Sequence, residues 1–69
     1  MTLRQRIEVA AVQRDPVEAG RIAETLRHSY GMPYEVVRRF FLKADPTMDA
    51  ADFEALMLEA ENRNWLAGR

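Results

Sequence analysis

The chain has 69 residues, 48% hydrophobic and 30% charged, with a formal net charge of -1 and a sequence pI near 5.7. Such a length holds one domain, residues 1–69, close to the lower size at which a core without staples offsets the entropy of folding. With no cysteine and a single histidine, His28, the composition excludes disulfides, thiolate metal sites and histidine clusters, and its charge balance carries no footprint of a general polyanion binder.

Three breaks organise the chain: Asp15-Pro16, Tyr30-Gly31-Met32-Pro33 and Asp45-Pro46-Thr47. Each joins a helix start or stop signal to a proline that cannot continue a helix. The spacing predicts an all-α bundle of four short helices, at roughly 3–13, 16–30, 33–43 and 50–63, with no strand pattern between them.

Thr2 is placed to cap the first helix, and Gln5 three residues on completes a capping-box pattern. Leu3, Ile7, Ala10 and Ala11 follow helical spacing, while Val9 and Val12 widen the apolar face. Asp15, Pro16 and Glu18 make the cleanest helix start in the chain. The second helix is expected to bury Ala19, Ile22, Ala23, Leu26 and Tyr30, with Glu18–Arg21 and Glu24–His28 at ion-pair spacing on its outer side. Gly31 reads as the left-handed residue that stops it, and Gly20 inside it marks either a close helix approach or a tolerated surface position.

Pro33 opens the third helix. Val36, Val37, Phe40, Phe41 and Ala44 read as one broad face at the centre of the core, with Tyr34 and Leu42 beside it, so Phe40→Ala is expected to unfold the domain. Asp49 caps the fourth helix, and Met48 and Phe53 can form a hydrophobic staple across its first turn. Phe53, Leu56, Met57 and Ala60 point inward. Leu58, Trp65 and Leu66 form a second apolar stripe on another side of that helix.

Charge is unevenly spread. Residues 1–43 carry eight basic against five acidic groups, whereas residues 44–69 carry two against six, so the last helix is an acidic addition to a mildly basic body. The start has two arginines but no apolar run after them. No signal peptide or membrane span fits, and a cytoplasmic location is the expectation.

Catalytic and cofactor chemistry finds no support. Ser29 and His28 are adjacent, which puts them about 100° apart on a helix and not face to face. Asp49 and Asp52 resemble a ligand pair, yet capping accounts for both. Gly20, Gly31 and Gly68 are too scattered for a phosphate loop. The expectation is a non-enzyme with no cofactor, no metal and no small-molecule substrate.

Two family outlines can be drawn through the middle of the chain. Ile22 to Phe41, an amphipathic helix, a glycine turn and a helix bearing Arg38 and Arg39, is similar to a helix-turn-helix. That resemblance implies a small DNA-binding regulator using Arg38, Arg39 and Lys43 in the major groove, although Arg27 stands where the pattern has a small residue. Ile22, Leu26, Tyr30-Gly31-Met32-Pro33, Val37, Phe41, Asp49, Ala51 and Leu56 resemble the apolar skeleton of ubiquitin-associated domains. Tyr30 and Met32 replace the methionine and aromatic of that family's first loop. This likeness implies a three-helix packing scheme whose first turn and last helix hold a protein partner.

The leading expectation is therefore a protein-protein interaction module, a small adaptor or inhibitor, binding a protein partner or a second copy of itself. Its expected contact residues are Met32, Leu58, Trp65 and Leu66, with DNA binding through Arg38, Arg39 and Lys43 as the alternative. Small size and missing chemistry also suit an accessory protein of a phage or mobile element.

Overall fold

Helices begin at the positions the capping residues mark. The computed structural model describes the backbone of residues 1–67 and side chains through Arg63. Among the described residues there are four helices, α1 (Leu3–Gln13), α2 (Pro16–His28), α3 (Tyr34–Ala44) and α4 (Ala50–Ala67), and no strand.

At α1 the Gln5 N–H donates to Thr2 Oγ1 at 3.2 Å and the Thr2 N–H donates to Gln5 Oε1 at 2.9 Å. Asp15 Oδ1 accepts from the backbone of Val17 and Glu18 at 3.1 and 3.3 Å, satisfying amides at the start of α2 that have no partner within the helix. Asp49 and Asp52 exchange backbone-to-carboxylate bonds of 2.8 and 3.3 Å at the start of α4. Capping thus employs both acids. Met48 and Phe53, on either side of that cap, are buried as the staple requires.

Two helix ends differ from the sequence reading. α2 stops at His28, two residues short of Tyr30, and the chain then turns at Gly31 with φ +67° while the Met32 N–H donates to Leu26 O at 3.0 Å. Tyr30 is therefore thrown outward, 63% exposed, and takes no place in the core. α1 closes on Arg14 in the left-handed region at φ +52°, with the Asp15 and Arg14 amides bonded to Ala10 and Ala11 carbonyls. This is the Schellman arrangement that usually employs glycine.

The core is built from Ile7, Ala10 and Ala11 of α1, Ala19, Ile22, Ala23 and Leu26 of α2, Val37 and Phe41 of α3, and Phe53 and Leu56 of α4. Phe41 and Phe53 meet at 5.3 Å between ring centroids, and Tyr34 tilts against Phe53 at 5.7 Å. Fully burying each phenylalanine stabilises the fold by about 1.5–3 kcal/mol. Phe40 is a correction to the sequence reading. It is 43% exposed while its neighbour Phe41 is fully buried. The buried stripe of α3 is Val37 and Phe41, and residues 36 and 40 belong to the next stripe, at the margin of the helix contact.

Going round the bundle, α1 contacts α2 and α3, and α4 contacts the same two helices. α2 and α3 meet across the middle, while no α1 Cα comes within 8 Å of an α4 Cα among the described residues. The α1/α3 face and the α2/α4 face are consequently on opposite sides.

Candidate protein-binding faces

Each of these two opposite faces carries an open groove. The α1/α3 groove, about 320 Å³, has a floor of Leu3, Ile7, Leu26, Met32, Phe40 and Ala44. Met32 comes from the turn between α2 and α3 and Phe40 from the outer stripe of α3, so residues remote in helical register meet in one apolar depression. Arg4, Glu8 and Lys43 stand at its rim, with Arg4 and Glu8 3.8 Å apart.

The α2/α4 groove is larger, about 610 Å³, and more polar. Its base lies where Gly20 meets Ala60, and its walls include Val17 and Leu58, which are 45% and 60% exposed. Arg21, Glu24, Arg27 and His28 edge it on the α2 side, and Glu54, Glu61 and Arg63 on the α4 side.

The residues singled out in the sequence do not form one patch. Met32 lies in the α1/α3 groove and Leu58 in the α2/α4 groove, on opposite sides of the bundle. Trp65 and Leu66, the remaining members of the expected stripe, lie outside the described residues. Phe40 lines the α1/α3 groove, where sequence reasoning had placed it in the core. Its position one residue before Phe41 made both look like core, and only the angular width of the α3 contact separates them.

The three cations of the DNA-binding reading are also dispersed. Arg38 turns toward α4, with its guanidinium 3.8 Å from Glu54, while Arg39 is exposed and Lys43 rims the α1/α3 groove. Residues 38 and 43 are about 140° apart around a helix. Glu54 also accepts a 2.8 Å hydrogen bond from the Tyr34 hydroxyl, and Arg27 lies over the Tyr34 ring at 5.7 Å. Burial and then the hydrogen bond to Glu54 push the Tyr34 hydroxyl up to about 12.

Ion pairs form across helices where helical spacing predicted them along one. Glu18 accepts from Arg6 of α1 at 2.6 and 3.1 Å, not from Arg21, and no pair links Glu24 to His28 among the described residues. The Arg14 guanidinium donates to Ala11 O at 2.6 Å and to buried Asp45, whose other oxygen accepts from the Thr47 hydroxyl at 2.6 Å and its amide at 3.0 Å. This clasp joins the end of α1 to the α3–α4 loop.

The fold and these faces define a small all-α bundle with an open groove on each of two opposite sides. No helix among them is long and apolar enough to cross a membrane, and no group of three metal-ligating side chains stands together. No protein-family model, curated protein or solved structure matches the chain.

Proposed function

We propose that the protein is a non-catalytic interaction module whose α1/α3 groove receives an apolar segment of a protein partner with acidic flanks. The observation that carries this reading is Phe40, a phenyl ring 43% exposed over an apolar floor that includes Met32. A ring left this exposed gains less from folding than a fully buried one, and aromatic and methionine side chains in a concave site are suited to anchoring a partner. The flank chemistry follows from the rim: Lys43 has no acidic partner among the described residues, and Arg39 is exposed one helical turn before it. Acidic groups beside the inserted apolar side chains complement both.

Selection of peptides from a random display library on the wild-type protein, counter-screened against Phe40→Ser, tests the assignment. Enriched peptides are expected to carry closely spaced apolar residues flanked by Asp or Glu and to lose binding to Phe40→Ser. Peptides that bind this variant equally well, or no enrichment, would overturn it. DNA binding through Arg38, Arg39 and Lys43 draws less support, because Arg38 shares its surface with Glu54 and Lys43 lies on another side of α3.

A further inference from the structure

The opposite face has a charge pattern that fits its own copy. α2 and α4 run antiparallel along the larger groove. Gly20 sits at Ala60 near one end, and Arg27 and Glu54 flank Tyr34 at the other. The α2 edge presents Arg21 and Arg27 against Glu24, and the α4 edge presents Glu54 and Glu61 against Arg63. Arg63 is paired within its own helix with Glu59 at 2.9 Å, and Glu54 already accepts from Tyr34 at 2.8 Å and stands 3.8 Å from Arg38, so Glu61 is the open carboxylate of the α4 edge among the described residues. One edge of the groove is therefore basic and the other acidic, with exposed Leu58 and Val17 between charged positions.

We infer that the α2/α4 face is a homodimer interface, in which a second copy packs about a two-fold axis parallel to these helices. A two-fold contact uses the same patch on both subunits, so the patch must complement itself. With the axis along the helices, α2 of one copy lies over α4 of the other at the same level. Arg21 then meets the second copy's Glu61, and the contact is made twice. An axis across the helices would instead stack α2 on α2 and α4 on α4, placing like charges together. Leu58 and Val17 are covered in the closed dimer. Both α1/α3 grooves remain on its outer sides, so this inference is independent of what they bind.

Light scattering on a sizing column, over a wide concentration range at low salt, reads the association directly. The wild type is expected at twice the 8.0 kDa of one chain, dissociating as salt rises. Arg21→Glu and Glu61→Arg each place like charges at both contacts and are expected to weaken association by at least about tenfold. Mixed one to one, the two variants restore both contacts, one with native and one with reversed polarity, and are expected to associate again. Circular dichroism checks that each remains folded, as expected at two exposed positions. A wild type that stays monomeric, single variants that stay dimeric, or folded variants that fail to associate when mixed would each overturn the interface. Dimers that survive both charge reversals but dissociate in Phe40→Ser would also overturn it, assigning self-association to the α1/α3 groove.

Discussion

Gly20 and Ala60 set the separation of α2 and α4: a Cβ built on Gly20 would lie 2.9 Å from the Ala60 Cβ, closer than two carbons tolerate. The obstructing atom is bound directly to the α4 backbone, so no rotamer change can move it aside. Gly20→Ala must push the helices apart.

Two opposing effects decide the outcome of that substitution. Alanine is a better helix former by about 1 kcal/mol, whereas overpacking costs about 1–3 kcal/mol. Gly20→Ala is expected to lower Tm despite its helix propensity. Adding Ala60→Gly should recover part of the loss, and a thermal double-mutant cycle that shows simple additivity would contradict the contact.

The adjacent phenylalanines should behave as opposites. Phe41 is fully buried against Phe53, and its truncation is expected to cost about 3–5 kcal/mol, enough to unfold much of so small a domain. Phe40→Ala removes a ring 43% exposed and is expected to cost less than about 1.5 kcal/mol. Urea denaturation monitored by circular dichroism distinguishes the two.

Asp45 should produce the acid limb of the stability curve. The Thr47 hydroxyl, then Arg14 and the Thr47 amide, hold its carboxyl down to about 2 from the usual 3.8. A folded-state value below the unfolded one gives stabilisation that is complete above the unfolded value and disappears as pH falls through the folded one. Wild-type Tm is thus expected to drop between about pH 4 and pH 2, and Asp45→Asn should be less stable at neutral pH with a flatter acid limb. Arg14→Gly removes the same partner while relieving the left-handed backbone, so it is expected to melt above Arg14→Ala.

Tyr34 should control the alkaline limb. Its hydroxyl is raised from 10.0 to about 12, so the neutral form is favoured by the fold. The associated stability is complete below the unfolded value and is lost as pH rises from about 10 through 12. Absorbance titration of a Tyr30→Phe variant, which leaves one tyrosine, should give a late midpoint, and Tyr34→Phe should remove the alkaline fall in Tm. An ordinary midpoint for Tyr34 would mean that its bond to Glu54 does not persist in solution.

Local rules made much of this fold legible. Thr2, Asp15 and Asp49 were identifiable as caps because each completes its bonds within a few residues, a geometry that needs no distant partner. The apolar positions of α2 and α4 were equally plain, since those helices have narrow buried stripes. α3 was harder. Val36, Val37, Phe40 and Phe41 are all apolar, and periodicity cannot tell which stripe of so broad an apolar face finds a neighbour.

The candidate site was legible only in fragments. Met32 and Leu58 stood out in the sequence as candidates, but their places on opposite faces follow from the order of helices around the bundle. The basic and acidic halves of the chain were visible as composition, and their meeting across one groove was not.

What the sequence by itself determined are the four helices, their starts and most of their inward positions, because hydrogen bonds and side-chain spacing within one or two turns specify them. Only the tertiary structure decided that Phe40 faces outward, that Gly20 admits Ala60, that Arg6 takes Glu18 from Arg21, and that Arg14 reaches Asp45. Each of those depends on the distance and angle between elements far apart in the chain. Packing sets these geometries, and local spacing carries no record of them.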